Sequence, residues 1–313
     1  VSTQSTGTTQ LVHKCSFGNV FIGINKQTKQ RVAIKVLNKC DIEENSHQYS
    51  YLTEIDILKK CNHLNIQQIL YDWEDEENVY IVTELAKGGE LFDHIIERDH
   101  YSEEDAAAIV KQILSAIYYL HKNNIVHADI KPENILLQEI PSDYDKRQEK
   151  FTPLIKLCNF GLSKIIHHHQ KTKYFGGTPG YVAPEVIKKF ECKMQPDIYS
   201  LGVLTYCLIT GQSLFEGQSG QEIINNQLSQ CFNIHPTFKT TSKDCQNFVF
   251  SCLKFDYETR VTAEELMEHP WFSVKSNVDL LNKIERKKLK AEMTLNSVCA
   301  LIKIGKTVHD IIE

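Results

Sequence analysis

Apolar residues follow two rhythms along this chain, and the change of rhythm near residue 88 divides it. Between Leu11 and Lys39 the sequence runs as short β-rich pieces, residues 20–24 (VFIGI) and 31–37 (RVAIKVL), separated by the turn-forming Asn25-Lys26-Gln27-Thr28; this predicts a hairpin meander. From residue 49 to 61, Leu52, Ile55 and Leu58 recur at helical spacing with charges opposite, which predicts a helix. Two further strands, 67–73 and 79–84, flank the acidic run Glu74-Asp75-Glu76-Glu77-Asn78. That run lacks the glycine and the alternating ligands of a calcium loop, so a plain hairpin turn is expected.

After Gly88-Gly89 helical spacing takes over. Residues 90–97 form one predicted helix, and Ser102 followed by Glu103, Glu104 and Asp105 is a cap with acids in the first turn, leading into a helix over 106–122. The apolar stretch 198–210 is broken by Ser200, Gly202 and Thr205 and is too short to span a bilayer, so it reads as a buried helix. Residues 138–152, charged and containing Pro141, read as a surface insertion between two strands. The fold class is therefore α+β, a small antiparallel β-rich part with one main helix followed by a larger, mostly helical part.

Composition narrows the function little. A chain of 313 residues, 42% hydrophobic and 24% charged with net charge -5, is ordinary for a globular protein and argues against a general nucleic-acid or anionic-membrane binder. Ten cysteines occur without a C-x-x-C pair, which suggests neither a zinc ribbon nor a redox dithiol but reduced thiols and a cytoplasmic setting. The Ser/Thr/Gln-rich residues 1–10 have no apolar core and read as a flexible N-terminus rather than a signal peptide.

The chemistry lies in His127-Ala128-Asp129-Ile130-Lys131-Pro132-Glu133-Asn134 and in Asn159-Phe160-Gly161. The octet resembles the catalytic loop of a protein kinase, H-R-D-x-K-P-x-N, and the triplet resembles the metal-binding D-F-G with its acid replaced by an amide. Gly177-Thr178-Pro179-Gly180-Tyr181-Val182-Ala183-Pro184-Glu185 resembles the end of the kinase activation segment. The order of features from Leu11 to Phe272 resembles the bilobal protein kinase fold, and in detail the calcium/calmodulin-dependent and calcium-dependent Ser/Thr kinases.

The resemblance implies ATP as cofactor and a protein as substrate. It implies that Lys35, in Val32-Ala33-Ile34-Lys35, neutralises ATP phosphates with Glu54 as its ion-pair partner. It puts Thr83 at the gatekeeper position of a hinge formed with Glu84 and Ala86, and adds Gly18, Val20, Ala33 and Glu90 to the nucleotide contacts. Lys35 alone would read equally as an edge lysine, and Glu90 equally as an acid opening the next helix. Asp129 is the implied catalytic base, Lys131 steadies the γ-phosphate, and Asn134 offers an amide oxygen to Mg²⁺. Asp197 is expected to brace the catalytic-loop backbone and Arg260 to pair with Glu185. Domain bounds follow as 1–10, 11–84, 85–272 and 273–313.

Three departures concern phosphate and metal. In His13-Lys14-Cys15-Ser16-Phe17-Gly18-Asn19-Val20, set against G-x-G-x-F-G-x-V, two of three glycines are replaced, so His13 and Cys15 are expected to crowd the approach of backbone N–H groups to phosphate. Asn159 stands where an aspartate would hold metal, and a neutral amide oxygen is a poor Mg²⁺ ligand. Ala128 replaces an arginine that pairs with phosphorylated activation-segment residues, which makes Thr172 and Tyr174 poor on-switches. Two readings remain open: a pseudokinase that holds nucleotide weakly and acts on partners, and an active Ser/Thr kinase directed at basic motifs.

His167-His168-His169 reads as a solvated loop in preference to a metal switch. In residues 273–313 the basic, amphipathic Lys283, Arg286, Lys287, Lys288 and Lys290 alternate with Leu280, Leu281, Ile284, Leu289 and Met293. By resemblance this is a regulatory segment for a calmodulin-like calcium sensor; by composition alone it is equally a packed C-terminal helix.

Overall fold

The computed structural model describes residues 10–15, 18–25, 28–44, 51–139, 153–166, 171–174 and 176–273. They form two compact units, one made of the N-terminal strands with Gln67–Leu85, the other of Ser50–Ile66 with Ala86–Ser276. The histidine triplet and the basic segment fall outside the described residues, as does most of the insertion after Gln138.

In the first unit β1 (Gln10–Cys15), β2 (Gly18–Ile24), β3 (Arg31–Asn38), β4 (Ile69–Glu74) and β5 (Asn78–Glu84) form an antiparallel sheet in the order β1-β2-β3-β5-β4, with the short α1 (Lys39–Glu44) after β3. Because side chains alternate along a strand, β3 divides its residues between two faces. Val32 and Ile34 join Val82 in a buried apolar cluster against which Leu70, Tyr71, Trp73 and Tyr80 pack. Trp73 and Tyr80, directly paired across β4 and β5, stack with ring centroids 4.6 Å apart. Ala33 and Lys35 occupy the other face.

The acidic run is the expected hairpin turn, organised by one side chain. Asp75 Oδ1 accepts from the Glu77 and Asn78 amides at 2.9 and 2.7 Å, and Oδ2 accepts from the Tyr80 hydroxyl at 2.8 Å; the Asn78 amide, then Tyr80, hold its carboxyl below the ordinary range.

The second unit contains α2 (Tyr51–Lys60), α3 (Leu91–Arg98), α4 (Glu103–Lys122), α5 (Pro184–Ile187), α6 (Gln195–Thr210), α7 (Gly220–Leu228), α8 (Pro236–Lys239), α9 (Lys243–Cys252) and α10 (Ala263–Met267), with two-stranded sheets β6 (Ile125–Val126) with β9 (Lys164–Ile165) and β7 (Ile135–Leu137) with β8 (Ile155–Leu157). Ser102 caps α4 as its position predicts, accepting from the Asp105 amide at 3.1 Å. The apolar stretch is the inner part of α6, in which every residue from Pro196 to Thr210 is buried. Gly202 lets α9 approach closely there, since a Cβ would lie 2.6 Å from Cys252 Cβ. No helix among the described residues is long and apolar enough to cross a membrane. The eight cysteines whose side chains are described are free, and burial pushes the Cys61 and Cys207 thiols up to about 11 and Cys192 and Cys245 to about 12, far from the reactive thiolate form.

Candidate active site

The two small sheets of the second unit bring the octet and the triplet together. The octet runs from β6 to β7 and the triplet from β8 to β9. Ile135 pairs with Leu157, so the residues just outside that pair, Asn134 and Cys158, meet as the Cys158 amide donates to the Asn134 carbonyl at 3.0 Å. The seventeen residues of sequence between β7 and β8 are thereby closed by a three-pair ladder.

Asp197, fully buried at the start of α6, supports the loop from beneath. Its Oδ2 accepts from the His127 amide at 2.9 Å and its Oδ1 from the Ala128 amide at 2.8 Å, while His121 Nε2 lies 2.9 Å from Oδ2. Burial alone would raise the Asp197 carboxyl, but the His121 contact, the charge of His127 and the loop amides outweigh it and hold the pKa low. Ala128 and Asn159 sit at φ 65° and 64°. Asparagine tolerates that left-handed conformation, and alanine adopts it at a cost of about 1–2 kcal/mol. His127 is wholly buried, its Nε2 3.0 Å from the Cys158 carbonyl and its ring edge-on to Phe160 at 4.9 Å; burial holds its pKa below the ordinary imidazole value.

On this support Asp129, Lys131, Asn134, Asn159 and Thr178 make one connected polar network. Asn134 Nδ2 donates to both the Asp129 carbonyl and Oδ2, each at 2.7 Å. Lys131 Nζ lies 3.2 Å from Asp129 Oδ2 and donates to Thr178 Oγ1 at 2.8 Å, and Thr178 Oγ1 in turn donates to Asp129 Oδ1 at 3.2 Å. Asn159 Nδ2 donates to Asn134 Oδ1 at 3.0 Å. The orientation of this amide pair is fixed: the two Asp129 oxygens only accept, so Asn134 must turn its nitrogen to them and its oxygen to Asn159, which must then answer with nitrogen. The oxygen that would face a cation already accepts from a neighbouring amide. With two neutral carboxamides as its remaining donors, the Asn134–Asn159 pair does not fit Mg²⁺, which favours charged oxygen ligands.

The other positions named from sequence fall on both units. Val20 pairs with Lys35, and Ala33 with Thr83, so all four share the sheet face opposite the apolar cluster, beside Gly18 at the head of β2. Thr83 is buried and its Oγ1 accepts from Gln67 Nε2 at 2.9 Å; Glu84 ends β5, its Oε1 accepting from the Gln68 amide at 2.9 Å. In the second unit Glu54 is buried in α2, Ala86 leads out of the strand, and Glu90 precedes α3 in a backbone bridge to Leu136. The side chains of His13 and Cys15 lie outside the described residues.

Thr178 and His121 carry no weight in the sequence reading as site residues, yet each touches the network or its support. A short polar residue and a helical histidine give no signal until the fold places them. The activation-segment remnant is pinned where it is described: Thr172 and Cys192 exchange backbone hydrogen bonds at 2.9 and 3.1 Å, and the buried Tyr174 donates its hydroxyl to the Lys193 carbonyl. Glu185 and Arg260 form a buried bidentate pair at 2.6 and 2.9 Å, with Arg260 also donating to the Gln195 and Lys254 carbonyls.

Comparison with known proteins agrees with this architecture. The protein kinase domain profile matches residues 9–272. Myosin light chain kinase A of Dictyostelium discoideum is 37% identical over 278 residues, covering 88% of this chain and 91% of that protein. Calcium-dependent protein kinase 4 of Plasmodium falciparum is 36% identical over 87% of this chain, and human calcium/calmodulin-dependent protein kinase type IV 35% identical over 86%. The chain spans 50% and 53% of the length of those last two relatives.

Proposed function

The chain belongs to the protein kinase domain family, and from that premise we propose that it is a nucleotide-holding kinase domain of the calcium/calmodulin-dependent group whose phosphotransfer is impaired at the metal step. One observation carries the reading: Asn159 donates its amide hydrogen to Asn134 Oδ1, so the pair satisfies itself internally and presents no charge to a cation. Loss of one preorganised electrostatic stabiliser costs on the order of 10²–10³ in rate.

ATP fits the residues better than Mg²⁺ does. The face carrying Val20, Ala33, Lys35 and Thr83 offers apolar contacts for a base and a cation for phosphate. ATP, when bound, supplies the transferable phosphoryl group. Asp129 is positioned to accept or orient a hydroxyl proton, with Lys131 beside it to stabilise negative charge.

The runner-up, an active Ser/Thr kinase, draws support from this intact Asp129–Lys131–Thr178 arrangement. Glu133 Oε2 is buried without a hydrogen-bond partner among the described residues, and such a carboxylate favours substrates with a basic residue. For partners, the basic segment beyond Phe272 is the proposed site of a calmodulin-like sensor. Titration of the full chain with calcium-loaded calmodulin tests this, and absence of calcium-dependent association rejects it.

The central test measures thermal shift by ATP with EDTA or with Mg²⁺, and phosphotransfer to a basic peptide. The expected outcome is a similar ATP shift in both buffers and a gain in transfer for the combined His13→Gly, Cys15→Gly, Asn159→Asp variant. If the parent with Mg²⁺ already equals that variant, the impaired-metal reading is wrong and the active-kinase reading stands.

A further inference from the structure

The sheet face that carries Val20, Ala33 and Lys35 also carries a polar group with a hydrogen to spare. Thr83 is 7% exposed and stands directly across from Ala33 in the β3–β5 pairing, which puts both side chains on one face. Gln67, two residues ahead of β4 and half-buried, reaches Thr83 through its amide. Its Nε2 donates to Thr83 Oγ1 at 2.9 Å and to the Glu84 carbonyl at 3.4 Å.

The Glu84 carbonyl settles which way this amide points. A carbonyl oxygen only accepts, and a turned-over amide would set Gln67 Oε1 against it, acceptor against acceptor. Gln67 therefore gives its nitrogen to both groups, and Thr83 Oγ1 is the acceptor in their bond. A hydroxyl has one hydrogen and two lone pairs; with Oγ1 accepting from Gln67, the hydrogen is left over. No acceptor for it is present among the described residues. An unmatched buried donor is costly, so a ligand that brings an acceptor to Thr83 gains there.

We propose that the base site takes 6-oxopurine nucleotides, of the inosine or guanosine type, alongside ATP, with Thr83 Oγ1 donating to the 6-oxo group and Gln67 fixing the direction of that bond. The inference rests on the nucleotide-holding reading. Thr83 and Glu84 are consecutive at the end of β5, so a purine whose 6-position meets the Glu84 main chain comes within reach of the Thr83 hydroxyl. Adenine carries an amino group there, which donates; it uses the second lone pair of Oγ1 but leaves the hydroxyl hydrogen unmatched. A 6-oxo group accepts that hydrogen. The Glu84 carbonyl, the neighbouring acceptor for an amino group, is already shared with Gln67, which reduces the advantage adenine would otherwise hold.

The full chain is titrated with ATP and with ITP by calorimetry in EDTA, so that the Asn134–Asn159 pair and metal do not enter. The parent binds ITP within about tenfold of ATP, whereas a site that depended on the 6-amino group would reject it by roughly 10⁴. Thr83→Val keeps the shape and removes the hydroxyl; it shifts the ITP-to-ATP affinity ratio toward ATP at least about fivefold, the discrimination of one hydrogen bond. Gln67→Glu shifts it the same way, because the new carboxylate takes the hydroxyl hydrogen and leaves Oγ1 only accepting. Comparing ratios between proteins cancels the difference between the two bases at N1, and a mere packing role would weaken both nucleotides equally. Should Thr83→Val not fold, Gln67→Glu decides. ITP weaker than ATP by more than about tenfold, or an unchanged ratio in a folded variant, overturns the base inference while the nucleotide-holding reading stands; binding of neither nucleotide at millimolar concentration overturns both.

Discussion

Replacing Asn159 by aspartate tests the amide pair in a way that does not depend on turnover. In the parent, Asn159 Nδ2 donates to Asn134 Oδ1 at 3.0 Å. In Asn159→Asp a carboxylate oxygen faces that same acceptor. Asn134 cannot turn over to offer its nitrogen, because Nδ2 is held at 2.7 Å by both the Asp129 carbonyl and Oδ2. The variant thus loses one hydrogen bond, worth ~1 kcal/mol, and leaves a buried acceptor unsatisfied at a further ~1–2 kcal/mol. A domain of this size shifts by about 2–4 °C per kcal/mol, so without divalent ions the variant melts roughly 5–10 °C below the parent. The sign then reverses with ligand. A cation between the new carboxylate and Asn134 removes the acceptor conflict, and nucleotide with metal at a hundredfold excess over its dissociation constant adds about 2.7 kcal/mol. Differential scanning fluorimetry in EDTA, in Mg²⁺, and in Mg²⁺ with ATP gives all three values. A variant at least as stable as the parent in EDTA, or equal Mg²⁺ responses in both proteins, would refute the reasoning.

Further expectations concern the support beneath the site. Glu185→Ala leaves Arg260 buried without its bidentate partner and costs about 3–5 kcal/mol, seen as a lower urea midpoint; a loss under ~1 kcal/mol would show the pair to be dispensable. His127 has its pKa lowered by burial, so the unfolded chain binds its proton first and stability falls as pH drops below the unfolded value near 6.5. His127→Phe, which keeps an aromatic ring against Phe160, is expected to flatten the denaturation slope between pH 7 and pH 5, and an unchanged slope would remove His127 as its source. Gly211 ends α6 at φ 64°, where an added Cβ would lie 1.7 Å from the Asp99 carbonyl oxygen. Gly211→Ala is therefore expected to destabilise by more than ~2 kcal/mol in chemical denaturation, and a near-neutral result would mean that the α3–α4 corner yields.

Much of this protein was legible in its amino-acid order because the relevant physics is local. The short β-rich pieces VFIGI and RVAIKVL dictate strands, the Ser102 cap starts α4, and the largely apolar residues 198–210, interrupted only by small or hydroxyl residues, mark α6 as interior. The octet and triplet are equally local, since the spacing of charged and amide groups within eight residues carries their chemistry. The resemblance to protein kinases also marked Asp197, Glu185 and Arg260 as a bracing set, and the structure pairs each of them.

Tertiary structure alone decided how these groups engage. That β7 pairs with β8, and so sets Asn159 against Asn134, depends on contacts between segments separated by an insertion, and no local pattern specifies which amide oxygen turns toward which nitrogen. Thr178 enters the network and His121 reaches Asp197 only because the chain folds back over dozens of residues, where hydrogen-bond geometry rather than residue type assigns the role. The sequence shows an amide, Asn159, where the resembled kinases carry an acid; the folded chain decided what that amide does, a hydrogen bond to Asn134, because a buried acceptor must be satisfied by whichever donor lies within reach.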